Sequence, residues 1–492
     1  MGSPRTKPLL IGGEWMQGAG APLTCVNPAS GQVSHEVSTA GAREVDLAVE
    51  AATQAAARPA WRGMLPHARA RLLSALADQV QARAADFALA QRLENGKVDA
   101  ECRAQVAGAV ATYRYYAAVC ETQGAELTPA RGPYLSMTTY EPYGVVAAIT
   151  PWNSPLTMEA QKVAPALAAG NAVILKPSEV TPSAGLLLGQ AALDAGLPPG
   201  IVNVLPGTGA VAGDALVRHK GVRMVSFTGG TESGRRIARA AAEKLMPVAL
   251  ELGGKSPHIV FDDANLEAAA AAVAGGIFEA SGQSCVAGSR LFVQRAAYAR
   301  VLELVASKAR ALKIDLPDAD GAQMGPLASF PHRERIEGIV ASARRDGGRV
   351  VCGGARPAQD RLAAGAFYEP TVIDGLPNGA TACQQEIFGP VLVALPFEDE
   401  EDLVRQANDS AYGLAAGVWT ADYQRALRVA QRLECGTVWI NTYKQLSIST
   451  PFGGFKESGL GREKGIGGLR LYQQAKSLYW GLDAPLTPGR AA

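Results

Sequence analysis

The sequence lacks an excess of charge of either sign. Its 492 residues include 47 Lys plus Arg and 46 Asp plus Glu, which gives a formal net charge of +1 near neutral pH. Binding to nucleic acids or to an anionic membrane surface depends on a surplus of positive charge. The balance therefore predicts that the chain has no nucleic-acid partner and no membrane partner.

Cysteine is scarce and forms no recognisable pattern. Seven cysteines are present, with no CxxC and no paired Cys/His clusters. An odd number without such spacing argues against a disulfide framework and a zinc site, and it suits a reducing cytoplasm. The opening MGSPRTKPLL has no apolar core of signal-peptide length, and the longest apolar windows are Ala-rich and broken by Gly or charge. The sequence thus predicts a cytoplasmic protein without a membrane span or a bound metal.

What the chain has in abundance is alternation between helical and strand-like segments. From 43 to about 121, apolar residues recur every three or four positions, as in amphipathic helices. From about 143 to 253, continuous apolar runs such as GVVAAIT and NAVILKP are separated by helical patterns. Such runs indicate a parallel sheet covered on both faces, and they predict a doubly wound, nucleotide-binding α/β sheet. A second α/β alternation follows, to about 454.

Two extended segments stand apart from this alternation. Residues 127–141 favour a hairpin, and KSLYW at 476–480 favours a lone strand near the end of the chain. A lone strand needs a partner, and the sheet edge of a neighbouring subunit is one candidate. Both segments therefore suggest self-association.

The stretch FEASGQSCVAG sets Cys285 in a flexible junction of small residues, between a helical pattern and the strand SRLFVQ. Gly282 and Gly288 would let the backbone approach a substrate closely. A thiol becomes a good nucleophile as the thiolate, which a nearby dipole or cation favours. A buried structural cysteine in a tight turn is the alternative.

Two other polar residues follow apolar strands. The carboxylate of Glu251, in VALELGGKSP, is costly to bury unless it has a catalytic role or an ion-pair partner. It is therefore either a general base or the ion-pair partner of a neighbour such as Lys255. Asn153, in TPWNSP, offers amide donors suited to an oxyanion hole. An asparagine between two prolines is also typical of a turn.

Further strand ends carry polar or Gly-rich turns. Lys176 and Glu179, in ILKPSE, are suited to binding sugar hydroxyls, and Gly229 and Gly234, in SFTGGTESG, would let backbone amides meet a pyrophosphate at a helix N-terminus. The GxxxxG spacing is neither GxGxxG nor an ATPase phosphate loop. Because ligands bind at the carboxyl ends of parallel strands, these turns together indicate a nucleotide site.

Seven motifs, in this order, resemble those of the aldehyde dehydrogenase superfamily, in its hydrolytic branch: TPWN, KPSE, FTGGTESG, ELGGKSP, GQSC, QEIFGPV and PFGGFKESGLGRE. The resemblance covers nearly the whole chain and implies an α/β fold with a Rossmann-like dinucleotide-binding domain, an α/β catalytic domain and a small β oligomerisation arm. It also implies a homodimer or homotetramer. The expected ranges are 1–126 and 143–253 for the NAD-binding domain, 254–456 for the catalytic domain, and 127–142 and 472–492 for the oligomerisation arm and tail.

The resemblance implies a catalytic role for each matching residue. Cys285 would attack the aldehyde carbon, while Asn153 and the Cys285 N–H would hold the developing oxyanion. Hydride transfer to the nicotinamide would leave a thioester, and Glu251 would activate the water that hydrolyses it to the carboxylic acid. Lys162 and Glu463 sit where some members carry a proton path to Glu251.

The implied cofactor is NAD rather than NADP, because the Glu179 carboxylate would repel a 2′-phosphate and accept from a 2′-hydroxyl. Gly230 and His332 stand where many members have Ser and Gln, so the pyrophosphate contact from Ser is lost. Gln385 stands where many have Glu. Trp152, Phe227, Gly229 and Gly234 are expected beside the adenosine and pyrophosphate, and Glu386 and Phe388 beside the nicotinamide and its ribose. The other cofactor-binding candidates are Thr150, Pro151, Lys176, Ser178, Gly230, Leu252 and His332.

The substrate tunnel is where the family varies. Ser154 stands where members that oxidise aliphatic aldehydes tend to have an aromatic residue, and Met158 and Gln161 follow it at helical spacing. The remaining walls are expected from Ser284, Val286, Leu446, Ile448 and Phe452. This set predicts a wide, partly polar tunnel for a bulky or hydroxylated aldehyde or a semialdehyde.

Two other functions stay open. A CoA-acylating semialdehyde dehydrogenase would transfer the acyl group to CoA, but that branch lacks the base that Glu251 would supply. A non-redox Cys-dependent acyl-transfer enzyme, or a structural relative, would have no need of Lys176, Glu179 and Glu386. The favoured expectation is NAD(P)-dependent oxidation of a small-molecule aldehyde to its acid.

Overall fold

The computed structural model describes residues 6–482, and the first part combines two antiparallel strand pairs with a helical layer. The three- and four-residue spacing of apolar residues produces the helices as predicted, and they bury large side chains such as Trp61 and Tyr113. The elements are β1 (Leu9–Ile11), β2 (Glu14–Met16), β3 (Gly20–Val26), β4 (Val33–Thr39), α1 (Ala42–Ala57), α2 (Pro59–Arg62), α3 (Pro66–Ala82), α4 (Ala84–Asn95), α5 (Asp99–Thr122) and β5 (Glu126–Thr128).

The next part forms the doubly wound sheet. Its elements are β6 (Tyr134–Pro142), β7 (Val145–Ile149), α6 (Pro155–Ala168), β8 (Ala172–Lys176), α7 (Ser183–Asp194), β9 (Val202–Val204), α8 (Asp214–Arg218), β10 (Met224–Thr228), α9 (Thr231–Ala242) and β11 (Val248–Glu251). The central strands run parallel in the order β9-β8-β7-β10-β11, and β1 and β2 extend the β9 edge. Every residue of β7, β8 and β10 is buried, as the continuous apolar runs predict. The strand order reverses between β7 and β10, which is where ligands bind in Rossmann-like sheets.

A second sheet follows. Its elements are β12 (Pro257–Val260), α10 (Leu266–Phe278), β13 (Arg290–Gln294), α11 (Tyr298–Ala311), α12 (Phe330–Arg345), β14 (Arg349–Cys352), β15 (Thr371–Asp374), α13 (Thr381–Gln384), β16 (Val391–Phe397), α14 (Glu400–Asn408), β17 (Tyr412–Gly413), β18 (Ala415–Trp419), α15 (Tyr423–Arg432) and β19 (Thr437–Ile440). The order is β14-β15-β16-β13-β12-β18-β19, and β14 is the antiparallel edge of an otherwise parallel sheet.

The last elements return the chain to the first sheet. They are β20 (Phe455–Lys456), β21 (Gly459–Leu460), α16 (Gly465–Arg470) and β22 (Gln473–Gly481). The short β21 pairs antiparallel with β11, with Gly459 opposite Glu251. Leu469 and Tyr472 then pack into the core beneath the first sheet. The PFGGFKESGLGRE segment therefore lies against the strand that ends in Glu251.

The predicted arm is a three-stranded antiparallel sheet in the order β22-β6-β5. The hairpin of β5 and β6 is present, and β22 pairs with β6 from Gln473↔Pro142 to Gly481↔Tyr134. The terminal strand thus has its partner in its own chain, which corrects the suggestion that it pairs with a neighbouring subunit. The hairpin leaves one edge of β6 free, and β22 fills it. Residues 483–492 of the expected tail lie outside the described residues.

None of the helices within residues 6–482 has both the length and the apolar character needed to span a membrane.

Candidate active site

The loop that carries Cys285 has an unusual backbone. After α10 ends, Ala280 and Ser281 both have φ of 54° and Gly282 has φ of 72°. A Cβ on Gly282 would lie 2.1 Å from the Gly389 carbonyl oxygen, so only glycine fits there. The glycine in GQSC is therefore needed for close approach to the backbone before β16.

The loop is held at several points. Ser281 Oγ donates to the Gly325 carbonyl at 2.8 Å, and Ala328 N donates to Gln283 Oε1 at 2.9 Å. The Tyr443 hydroxyl donates to the Val286 carbonyl at 2.9 Å. Two distant segments, residues 325–328 and Tyr443, therefore hold the loop by hydrogen bonds on both sides of Cys285.

Cys285 is partly accessible and packs against an apolar cluster that includes Val286 and Phe452. Burial raises the pKa of its thiol to about 12, and the nearby Glu386 and Glu251 carboxyls add to the increase. The charge of the Lys464 ammonium lowers the pKa of the thiol, but by less than burial raises it. The thiol form therefore dominates near neutral pH, and attack on a substrate requires a proton acceptor.

Asn153 stands directly beside this loop. Its Nδ2 donates to the Gln283 carbonyl at 2.9 Å, two residues before Cys285. The preceding Trp152 carbonyl accepts from Asn95 Nδ2 at 3.1 Å, which fixes the turn after β7. The amide is thus a donor held against the loop that carries the thiol.

Glu251 is buried at the end of β11, with a residue exposure of 5%. Its Oε2 has no hydrogen-bond partner in the described part of the chain. Burial and the charge of Glu463 raise the pKa of Glu251 well above its ordinary value. Within residues 6–482 it makes no ion pair with Lys255, whose Nζ also lacks a partner and whose pKa burial lowers to about 7. The ion-pair alternative for Glu251 is therefore not found.

A buried ionic network lies behind Glu251. Lys162 Nζ is 2.5 Å from Glu463 Oε1 and 3.2 Å from Ser226 Oγ, and the Tyr472 hydroxyl donates to Ser226 Oγ at 2.9 Å. The Lys162 and Glu463 side chains are almost fully buried. The structure thus brings this pair close enough to Glu251 for its charges to affect the pKa of that carboxyl.

The adenosine-side candidates gather at the ends of β7 and β8. Lys176 Nζ is buried and lies 3.3 Å from Glu179 Oε2, which is exposed. Thr150 N donates to the Lys176 carbonyl at 3.2 Å and joins the two strand ends, and Pro151 follows it. Ser178 Oγ accepts from the Val180 N–H at 3.3 Å and closes the turn.

Two glycines at the start of α9 permit close packing. A Cβ on Gly229 would lie 2.5 Å from the Phe227 ring, and one on Gly234 would lie 2.4 Å from the Leu252 side chain. At Gly230 an added Cβ would meet nothing within 4 Å. The serine that many members carry would fit at Gly230, so its absence here removes a side chain without changing the packing.

Trp152, His332 and Phe388 form an aromatic cluster. The Trp152 ring lies 5.3 Å from the His332 ring and 5.2 Å from the Phe388 ring, both edge-on. His332 Nε2 is 2.7 Å from the Phe388 carbonyl oxygen, and burial lowers the pKa of His332. Trp152, which we expected beside the adenosine, therefore contacts Phe388, which we expected beside the nicotinamide.

Glu386 reaches back to the turn after β11. Its Oε1 accepts from the Gly254 N–H at 2.9 Å, and a Cβ on Gly253 would lie 2.6 Å from Oε2. Burial raises the pKa of Glu386, although the Gly254 hydrogen bond opposes this. Gly253 therefore leaves room for the Glu386 carboxyl, whereas a Cβ on Gly254 would lie 2.4 Å from the Cys285 carbonyl oxygen.

The candidate tunnel residues are only partly brought together. Val286 and Phe452 share the apolar cluster of Cys285, and Ser284 is partly exposed on the same loop. Ser154 Oγ accepts from Gln105 Nε2 at 3.2 Å. The other candidates lie as follows: Met158 is partly exposed and Gln161 buried on α6, Leu446 is 51% exposed, and Ile448 packs against the core beneath the first sheet.

Sequence reasoning missed several residues at the site. Gln105 comes from a helix far away in the sequence, and Glu101, on the same helix, accepts from the Ala280 N–H at 2.7 Å. Tyr443 and Lys464 contact the apolar cluster around Cys285. Only Lys464 carried a sequence signal, since it directly follows Glu463 of the last motif.

Known proteins are similar to this chain in sequence and structure over almost its whole length. The model of the aldehyde dehydrogenase family matches residues 15–478. The phenylacetaldehyde dehydrogenase of Pseudomonas fluorescens is 42% identical over 479 residues, which cover 96% of this chain and 95% of that protein. The crystal structure of betaine aldehyde dehydrogenase from Staphylococcus aureus in complex with NAD+ superposes with a TM-score of 0.96 at 35% identity, over 99% of this chain and 97% of that one. The NAD+ complex of an aldehyde dehydrogenase from Bacillus cereus gives a TM-score of 0.95 at 38% identity, over 97% of both chains. This chain belongs to the aldehyde dehydrogenase family.

Proposed function

We propose that the chain is an NAD-dependent aldehyde dehydrogenase that releases the free carboxylic acid. The main support for this function is that the Asn153 amide lies against the loop of Cys285. In addition, the buried carboxyl of Glu251 is close enough to raise the pKa of the thiol. A nucleophile, a fixed donor and a base are the groups that oxidation through a covalent acyl intermediate requires.

In the first step, Cys285 Sγ forms a bond to the aldehyde carbon. The electron pair of the C=O bond moves onto oxygen, and Asn153 Nδ2 and the Cys285 N–H stabilise that charge. Because burial raises the pKa of the thiol, its proton passes to water before the thiolate attacks, and Glu251 acts only in the later hydrolysis. NAD+ bound at the strand ends would supply the hydride acceptor, and a thioester would remain on Cys285.

The residues present fit that cofactor. Lys176 and Glu179 place an ammonium and an exposed carboxylate at the end of β8, where ribose hydroxyls would bind. Gly230 leaves the backbone before α9 open to close approach, since an added Cβ there would meet nothing within 4 Å, whereas the space beside Gly229 and Gly234 is filled by Phe227 and Leu252. The carboxylate of Glu179 favours a free 2′-hydroxyl over a 2′-phosphate, because like charges repel.

In the second step, Glu251 would take a proton from water as the water attacks the thioester carbon. Cys285 then leaves as the thiolate. The high pKa of Glu251 makes it a competent proton acceptor, because a base of higher pKa binds a proton more strongly. The Lys162–Glu463 pair lies behind Glu251 and would pass the proton onward.

A direct test measures cofactor reduction and product together. The purified protein is given a panel of aliphatic, aromatic, amino- and semialdehydes with NAD or NADP, and NADH is followed at the same time as the organic product. We expect one carboxylic acid for each NADH, no dependence on CoA, and higher kcat/KM with NAD. Product that appears only as an acyl-CoA, or an aldehyde panel that yields no reduced cofactor, would contradict the proposal.

Assembly, compartment and domain division belong to the same proposal. The arm exposes Leu478, Tyr479 and Trp480 on a sheet with free edges, which suits a homodimer or homotetramer. The cysteines of residues 6–482 are unpaired, which suits the cytoplasm. We propose NAD-binding, catalytic and oligomerisation regions with the ranges expected from the sequence. Light scattering on the intact protein measures the number of subunits in the assembly.

A further inference from the structure

Lys464 carries a charge that no contact in the described structure neutralises. The residue is 6% exposed, and its Nζ lies 4.9 Å from the centroid of the Phe452 ring. Across residues 6–482 it forms no ion pair and no side-chain hydrogen bond. Two other buried lysines differ in this respect, since Lys162 pairs with Glu463 and Lys176 with Glu179, whereas Lys255 also lacks a partner in the described structure.

The position of Lys464 is fixed relative to the nucleophile. The backbones of Phe452 and Glu463 exchange two hydrogen bonds of 2.8 and 2.7 Å, so the next residue is held beside the Phe452 ring. That ring belongs to the apolar cluster against which Cys285 packs. The ammonium charge also lowers the pKa of Cys285 and of Glu251, against the larger effect of burial on each. Lys464 therefore lies beside the apolar cluster that holds the thiol, and its charge affects Cys285.

A purely structural role does not account for this lysine. Burial lowers the pKa of Lys464, because removing an ammonium from water is costly. A cation–π contact recovers only part of that cost. Glu463 is already paired with Lys162, and the charges of Glu463 and Glu251 offset only part of the effect of burial on the pKa of Lys464. The surroundings of the thiol thus contain a positive charge, that of Lys464, without a fixed counter-ion.

We propose that Lys464 binds an anionic group at the far end of the aldehyde, so that the substrate class is the short ω-oxo carboxylates. The chain between the aldehyde and the carboxylate is short, because Lys464 stands on a ring of the cluster that holds Cys285. This inference rests on the proposed function, since it assigns a substrate class to the same site.

The test compares two aldehydes of nearly the same shape and different charge. In 4-methylpentanal, an isopropyl group replaces the carboxylate of 4-oxobutanoate. We expect the wild-type protein to have the higher kcat/KM for 4-oxobutanoate. A charge-assisted hydrogen bond contributes about 1.5–3 kcal/mol, so Lys464→Met should lower the ratio of the two kcat/KM values about 10- to 150-fold. Lys464→Arg should keep a preference for the anion.

Lys444 provides a matched control. Its charge also affects the region of Cys285, but its Nζ lies 3.7 Å from Glu279 Oε2. Lys444→Met should therefore leave the substrate ratio near the wild-type value. If the Lys464→Met protein does not fold by circular dichroism, Lys464→Gln keeps the polarity and removes the charge.

Several results would overturn the inference. The first is a wild-type protein that shows no preference for 4-oxobutanoate over 4-methylpentanal. The second is a Lys464→Met protein whose ratio of the two kcat/KM values stays within about threefold of wild type. The third is a ratio that falls in Lys444→Met instead. If neutral aldehydes yield NADH while the ratio fails to move, only the substrate assignment is wrong. If no aldehyde yields NADH, the proposed function is wrong and the assignment with it.

Discussion

Replacing Glu251 by Gln removes a base and changes little else. The two side chains have nearly the same size, and the carboxyl is buried with one oxygen unpartnered in the described structure. A positioned general base contributes about 100- to 10,000-fold to a rate. We therefore expect the steady-state kcat of Glu251→Gln to fall by about that factor, because water can no longer be activated against the thioester.

Stopped-flow absorbance of NADH separates the two chemical steps. In Glu251→Gln we expect a burst of about one NADH per active site, followed by slow turnover. Hydroxylamine attacks thioesters without a base, so it should restore turnover and give the hydroxamic acid. The pKa of Glu251 is raised, so its basic form increases as pH rises, and the wild-type kcat should rise with pH through that pKa. The variant should lose this rise.

A matched control uses another buried carboxyl. Glu159 on α6 is fully buried, neither of its oxygens has a hydrogen-bond partner in residues 6–482, and burial raises its pKa well above the ordinary value. Its carboxyl faces α7, since a Cβ on Gly185 would lie 3.3 Å from Oε1. Glu159→Gln should keep kcat within about threefold of wild type. A Glu251→Gln protein that turns over as fast as this control would refute the assigned role.

Two further predictions concern the groups around the thiol. Asn153→Ala should lower kcat about 100- to 1,000-fold for every aldehyde, because one oxyanion donor is lost. Steady-state kinetics check this, and a loss below about tenfold contradicts it. Ser154→Phe should raise the kcat/KM for acetaldehyde relative to an aromatic aldehyde, because an aromatic side chain beside Gln105 would narrow the tunnel. An unchanged ratio would show that Ser154 does not line the tunnel.

Local sequence patterns were enough to predict the sheet and the position of the thiol. The continuous apolar runs of β7, β8 and β10 are typical of strands covered on both faces, and the polar residues that end parallel strands meet at one edge of the sheet. Cys285 could be placed between α10 and β13 for the same reason. These features depend on periodicity over a few residues, which the sequence displays directly.

Features that depend on contacts between distant segments could not be predicted. The pairing of β21 with β11 and of β22 with β6 is set by where the chain returns after the second sheet. The Cys285 loop is held by hydrogen bonds to Tyr443 and to residues 325–328. Away from the site, Cys25, His35 and Glu94 come within 4.8 Å of one another, although their spacing carries no motif.

The central claim is that Cys285 becomes acylated while a bound NAD+ accepts hydride. Rapid quenching of Glu251→Gln with NAD+ and its best aldehyde, followed by peptide mass spectrometry, tests it most directly. The account predicts the mass of one acyl group on the peptide that contains Cys285, and no NADH from Cys285→Ser. An unmodified Cys285 peptide during turnover, or a Cys285→Ser protein that oxidises the aldehyde as fast as wild type, would contradict it.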